Sequence, residues 1–239
     1  MPQDWVAGVE LVGDGTMVRA DFDRSLEELQ AELIVLGEMV EKAIIKSMDA
    51  LEQRDLSVAY EVVAEDDLID EKRFELEEKC INLIATQQPL AIDLRTLLAV
   101  LHIAVELERM GDYAEGIGKI CMIIGDDVPM DLPPQLSLMA KAGTVMLRRS
   151  LKSLIDRDTV LANDVWDSDD EVDALYDGVC HQIFLGMGEH PKTIEASTHF
   201  LWVAHDLERI ADRATNIAEK VIFMVTGRIG RYEPIKDGE

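Results

Sequence analysis

The sequence predicts an all-α fold, two tandem similar three-helix bundles side by side. Three observations carry that expectation. Apolar residues recur at alternating spacings of three and four, which lays a continuous apolar seam along a helix. The apolar content comes from Leu, Ile, Val, Ala and Met, with aromatics at only 5%, a palette that suits helices better than β-sandwiches. The order of features also repeats. Glu108 and Asp112, within residues 106–117, match Glu208 and Asp212, within residues 206–217, at an offset of 100.

Residues 1–20 show no helical period, and Gly8, Gly13 and Gly15 interrupt them. They are expected to form a poorly ordered N-terminal extension. The first repeat is assigned to residues 21–126. From Asp23, Leu26, Leu29, Leu33, Leu36, Val40 and Ala43 form one seam, and that helix runs to about Gln53. Asp55 is a side-chain acceptor placed to cap the next helix, which runs to about Ala85. Pro89, tolerated in a first helical turn, is read as restarting the chain for a third helix from about Leu90 to Ile124.

Gly125, Asp126, Asp127, Pro129, Pro133 and Pro134 form the clearest break. The second repeat, residues 132–227, then follows the same order. A helix is expected from about Gln135 to Ile155. Asp158 caps a second, to about Gly186, as Asp55 did 103 residues earlier. Gly188, Glu189, His190 and Pro191 restart a third, to about Thr226. Residues 228–239 are a tail expected to fray.

The chain of 239 residues carries 48 acidic against 23 basic residues, a net charge of −25. Such a surface argues against binding nucleic acid or anionic lipid and fits cations or a basic partner. The longest apolar run, Thr96 to Val105, is too short for a bilayer, which needs about 20 residues. The N-terminus lacks a basic stretch followed by an apolar run, so no signal peptide is expected. Cys80, Cys121 and Cys180 are far apart and odd in number, and read as buried thiols of a reducing compartment. A cytoplasmic, soluble protein is expected. The tryptophans, Trp5, Trp166 and Trp202, read as packing residues, and His102, His181 and His199 receive no chemical role.

A second pair of acids repeats as well. Asp66 and Asp70 match Asp169 and Asp173, at an offset of 103. Each half therefore carries two acid pairs at i and i+4, one on its middle helix and one on its last. Acids at that spacing lie one above the other on a helix face and repel. Helical rotation splits the polar residues of the third helix into two stripes. His102, Glu106, Arg109 and Tyr113 are read as the solvent face. Glu108, Asp112 and Glu115 border the apolar face, where an antiparallel neighbour would bring Asp66 and Asp70. Converging carboxylates are costly without a cation, and hard or borderline ions prefer oxygen donors. The plain alternative is a solvated face paired with Arg109 or Arg209. Di-iron bundles use a Glu-x-x-His pair, which the chain lacks, so oxygen activation is disfavoured; His205, three before Glu208, has the reverse order. There is no Gly-rich phosphate loop, no Ser-His-Asp set and no basic nucleic-acid stripe.

At these residues the chain resembles the PhoU family. The resemblance spans about residues 20–226. It is most specific from Gln87 to Ile117 and from His205 to Val221, which hold the two Leu-Glu-Arg-x-x-Asp strings. It implies two three-helix bundles, a cytoplasmic location and multinuclear metal clusters on the protein surface. The implied metal ligands are Asp66, Asp70, Glu108 and Asp112, then Asp169, Asp173, Glu208 and Asp212. Asn216 also fits the second motif, whereas Gly116 replaces it in the first. Iron or zinc is the expected metal, with Mg, Mn or Ca as alternatives.

The resemblance further implies a noncatalytic negative regulator of phosphate uptake and of the phosphate-starvation response. Its expected partners are the Pst transporter ATPase, a sensor histidine kinase and a second copy as homodimer. The rival readings are a carboxylate-bridged metalloenzyme, an accessory of a low-affinity phosphate transporter, and a plain structural bundle.

Overall fold

Two aspartates start the middle helices of both halves in the same way. Asp55 accepts from the backbone N–H groups of Ser57 and Val58, at 3.0 and 3.2 Å. Asp158 accepts from those of Val160 and Leu161, at 2.9 and 3.0 Å. Each follows an arginine in the left-handed region, Arg54 at φ 55° and Arg157 at φ 51°, which turns the chain back on itself. Both ends of each turn are thus satisfied locally.

The structure, a computed structural model, describes residues 14–125, 131–189, 193–228 and 230. The helices are α1 Asp14–Gln53, α2 Leu56–Gln87, α3 Ile92–Ile124, α4 Pro134–Asp156, α5 Thr159–Asp167, α6 Asp169–Glu189 and α7 Ile194–Thr226. Among the described residues there is no strand. The all-α expectation holds, with α1, α2 and α3 in one half and α4, α5 with α6, and α7 in the other. His190 and Pro191, read as restarting the last helix, lie outside the described residues, as do most of the linker and of the C-terminal tail.

Three boundaries differ from the sequence expectation. Helix α1 begins at Asp14, inside the segment expected to be an irregular extension. One glycine, Gly15, costs a helix only about 1 kcal/mol. Phe22 is buried, and Arg19 pairs with Asp93 at 2.5 Å in the first turn of α3. These contacts hold the early turns onto the bundle. Second, Pro89 lies in the connection rather than in a helical turn. Gln88 and Ala91 take the left-handed half of φ space there, at 46° and 51°, and α3 starts at Ile92. Third, the middle helix of the second half is interrupted at Ser168, between α5 and α6. The Ser168 N–H donates to the Val165 carbonyl at 3.1 Å, and its hydroxyl donates to Asp164 O at 2.7 Å. Local bonding of this kind competes with the regular ladder.

Leu33, Leu36 and Val40 of α1 are fully buried, as the seam predicts; beyond them the buried position is Ile44, while Ala43, placed in the seam, is only partly buried. The two last helices, α3 and α7, pack on each other along the middle of the molecule. Their core residues match at an offset of 100: Ile103, Leu107, Met110, Ala114 and Ile117 against Val203, Leu207, Ile210, Ala214 and Ile217, all fully buried. Each large side chain of this set contributes about 1.5–3 kcal/mol by burial. The pair runs antiparallel, with Glu106 beside Asn216 and Gly116 beside Asp206. Helix α1 meets α4 as α3 meets α7, so each half presents its first and last helices to the other.

Cys80 and Cys121 are buried free thiols, and burial pushes Cys80 up to about 12. Cys180 is only half-buried. Trp202, read as a packing residue, is 53% exposed and stands edge-on to His199 at 5.2 Å.

Candidate metal sites and the seam between the halves

Helix α2 runs antiparallel to α3 and lays its acids against those of α3. The close approach is at Gly111, between Glu108 and Asp112. A Cβ there would stand 3.1 Å from Ile69 Cγ2 and 3.3 Å from Asp66 Oδ1. The carboxylates of Asp66, Asp70, Asp112 and Glu115 are within electrostatic reach of one another, and Glu108 joins through Asp112 and Asp70. Burial, reinforced by Glu115, Asp112 and Asp70, pushes the Asp66 carboxyl up to about 7. Glu108 and Asp112 are raised too, first by burial and then by neighbouring acids. Loss of hydration and like charge act in the same direction on these groups.

The second half repeats the arrangement between α6 and α7. Asp169 is pushed up to about 6 by burial and by Asp212, Asp173, Glu208 and Asp170. Asp212 is raised by burial, although Arg209 opposes the rise. Because of the interruption at Ser168, Asp169 opens helix α6, whereas Asp66 lies within α2. The structure therefore brings together Asp66, Asp70, Glu108 and Asp112, and separately Asp169, Asp173, Glu208 and Asp212.

Basic groups reach the two sets differently. Arg73 of α2 approaches Glu108 at 3.5 Å, pairs with Glu77 at 2.7 Å and lies over the Phe74 ring at 3.9 Å. Tyr176 and Cys180 stand at the corresponding places of the second half. There the cation comes from α7. Arg209 bonds Glu208 through Nε at 2.5 Å and through Nη2, and pairs with Asp212 at 2.7 Å.

The donor chemistry fits an oxygen-preferring cation. Each set offers four carboxylates from two helices in mutual repulsion, three of them half-buried and one, Asp112 in the first and Asp173 in the second, exposed; a multivalent ion relieves that repulsion. Among the described residues no group of three His, Cys, Asp or Glu side chains already surrounds a single point in a manner that could hold a metal ion. Loading would require carboxylate rotamers to turn inward.

Asn216 is not held in the second set. Its amide donates to Glu106 Oε2 across the seam at 3.1 Å, and Arg213 Nη1 donates to the same oxygen at 3.1 Å. Glu106, read from the sequence as solvent-facing, is instead covered by α7, at 15% side-chain exposure. Its stripe divides: His102 and Arg109 are exposed, while Glu106 and Tyr113 are only partly so. At the matching place on α7, Asp206 faces Gly116, and burial pushes its carboxyl up to about 7. Glu115, which pairs with Lys119 at 2.5 Å, was absent from the expected ligand set but belongs to the first group. Its place three after Asp112, on the same stripe, was the available signal. The second half has Thr215 there.

Comparison with known proteins agrees with this architecture. The PhoU domain family model matches residues 33–121 and 136–221. The chain is 37% identical over 213 residues to the phosphate-specific transport system accessory protein PhoU homolog of Clostridium acetobutylicum, covering 89% of this chain and 97% of that one. It is 39% identical over 207 residues to the homolog of Caulobacter vibrioides, covering 86% and 90%. The crystal structure of PhoU from Pseudomonas aeruginosa superposes with a TM-score of 0.83 at 29% identity, covering 87% of this chain and 100% of that one. That of the phosphate transport system regulatory protein PhoU from Streptococcus pneumoniae gives 0.82 at 28%, covering 87% and 99%. With the family model matched in both halves and near-full-length relatives above 30% identity, the chain belongs to the PhoU family.

Proposed function

We propose that this chain is a cytoplasmic accessory regulator of phosphate uptake, binding metal on its two carboxylate sets and acting as an adaptor. In this reading it restrains the Pst phosphate ABC transporter and relays the transporter's state to a sensor histidine kinase, as a negative regulator of the phosphate-starvation response. The observation that carries the proposal is the near-full-length similarity to accessory proteins of phosphate-specific transport. Among the described residues no helix is long and apolar enough to cross a membrane, so the contacts with membrane proteins would be made through surfaces.

Asp66, Asp70, Glu108 and Asp112 would hold one cation cluster, and Asp169, Asp173, Glu208 and Asp212 the other. Bound multivalent ions would supply positive charge that lets the paired acidic helices close together. Iron or zinc is the metal this reading assigns first, with Mg, Mn or Ca as the alternatives. The homodimer belongs to the same proposal, without an assigned interface.

The test is co-purification of the tagged chain with the transporter ATPase and the kinase, together with a phosphate-starvation reporter. The reading expects retention of at least one of the two proteins. It expects reporter activity in rich phosphate when the chain is deleted. Retention of neither, with an unchanged reporter, overturns it. Metal analysis of protein purified without chelator checks the sites: less than about one ion per chain, unchanged by Glu108→Ala with Asp112→Ala, removes the metal from the proposal.

A further inference from the structure

We propose that Arg209 is a built-in counter-ion that competes with the cation at the second carboxylate set, so that the two sets fill in order, the first before the second. This rests on the cation-binding reading above and assigns it a sequence of events.

Three guanidinium nitrogens of Arg209 are engaged by the two motif acids: Nε and Nη2 by Glu208, and Nη1 by Asp212 at 2.7 Å. A cation taking both acids must displace all of these bonds. The first set has no such lock. Arg109, at the matching position, is exposed and forms no ion pair with Glu108 or Asp112 among the described residues. Arg73 offers Glu108 a single 3.5 Å contact and is held aside by Glu77 and the Phe74 ring. Lys119 is engaged by Glu115 at 2.5 Å. A planar guanidinium forking across two carboxylates is bound more firmly than one at a single long contact.

The seam explains why two arginines in the same motif behave differently. The register that sets Glu106 beside Asn216 and Gly116 beside Asp206 places position 109 beside Arg213 and position 209 beside Tyr113. By that register Arg109 stands opposite a like charge and is exposed, acting on Asp112 only at a distance, whereas Arg209 stands opposite a phenol and bonds its own acids. The asymmetry is thus set by the pair Tyr113 and Arg213, which carry no ligand role themselves.

The experiment titrates chelator-stripped, full-length protein with Mn²⁺ at pH 8 and reads free Mn²⁺ by electron paramagnetic resonance. Wild type is expected to show two classes of site. Glu108→Gln with Asp112→Asn removes the tighter class. Arg209→Gln tightens the weaker class by about tenfold, the scale of lost charge-assisted bonds at a half-exposed site, and leaves the tighter class unchanged. Arg209→Lys, a point charge without the fork, falls between. If Arg209→Gln leaves the weaker class unchanged, or if Glu208→Gln with Asp212→Asn removes the tighter class, the order proposed here is overturned while cation binding stands. If wild type binds neither Mn²⁺ nor, in a parallel calorimetric titration, Zn²⁺ saturably, the cation-binding reading falls, and the order with it.

Discussion

The Asn216 amide and Glu106 meet at 3.1 Å across the seam between the halves, and Arg213 donates to the same carboxylate oxygen. The register-matched acid, Asp206, has only Gly116 opposite it, where even a Cβ would come within 3.0 Å of its Oδ2. One duplicated position thus holds a satisfied carboxylate in one half and, among the described residues, an unpaired one in the other.

Opposite signs are expected from neutralising the two. Glu106→Gln leaves Arg213 without its partner and should cost about 1–3 kcal/mol. Asp206→Asn removes an unpaired, largely buried charge and should stabilise by about 1 kcal/mol at pH 8. Urea denaturation at pH 8 measures both. Destabilisation by Asp206→Asn as large as that by Glu106→Gln would contradict the assignment.

Asp66 makes a distinct pH signature. Its carboxyl is raised from the ordinary range to about 7 in the folded chain. A raised pKa means the folded state holds the proton more tightly than the unfolded state. The resulting stabilisation is full below about pH 4 and is lost as pH rises toward 7. In metal-free protein, Asp66→Asn should flatten the stability profile across that window. Relative to wild type it should gain about 1–2 kcal/mol between pH 4.5 and 8, after allowance for the exposed part of the carboxyl. Thermal denaturation of both proteins in chelator across that range is the check.

The duplicated plan, the apolar seams and both aspartate caps were legible because each depends on spacing within one helix. What was not legible depended on a neighbour. Rotation about α3 separates the Glu106 stripe from the Glu108 stripe, but only the packing of α7 decides that Glu106 is covered. Asn216 matched the acidic motif by position, yet its seam partner lies 110 residues away. The interruption at Ser168 rests on hydroxyl bonding that a serine within a helical pattern does not announce. The start of α1 was hidden by Gly15, whose small intrinsic cost is offset by Phe22 and the Arg19–Asp93 pair.

The duplicated caps predict duplicated costs. Asp55→Ala and Asp158→Ala each remove a side-chain acceptor from two backbone donors. Each should destabilise by about 1 kcal/mol, and the double variant by about the sum, since the sites lie in different halves. A double variant no worse than either single one would mean that one cap is not formed. Chemical denaturation of the three variants decides it.

Gly227 ends α7 at φ 73°, and its N–H donates to the Phe223 carbonyl at 2.8 Å. An alanine there would adopt the left-handed region at a cost of about 1 kcal/mol. Its Cβ would also stand 2.5 Å from the Arg95 guanidinium of α3, which must shift. Gly227→Ala should therefore cost about 1–2 kcal/mol. Gly125→Ala, at φ 70° and ψ −167° with nothing within 4 Å of its Cβ, lies in a backbone region almost reserved for glycine and should cost about 1–3 kcal/mol from the backbone alone. Thermal denaturation of the two variants measures both costs.

Cation binding should release protons in a way set by the same carboxylates. Asp66 at about 7 and Asp169 at about 6 hold protons that a metal ligand must give up. At pH 6 Asp66 is largely and Asp169 about half protonated, so binding there must release close to one proton from the first set and about half a proton from the second. At pH 8 both are ionised and release falls toward zero. Apparent affinity should accordingly drop as pH falls, by about tenfold per unit per proton released. Calorimetric titration of the stripped chain with Mn²⁺ at pH 6 and pH 8, in buffers of unequal ionisation enthalpy, measures the release directly. Equal release at the two pH values would show that these two carboxylates do not ligate the ion, and Asp66→Asn should abolish the first-set component at pH 6 alone if they do.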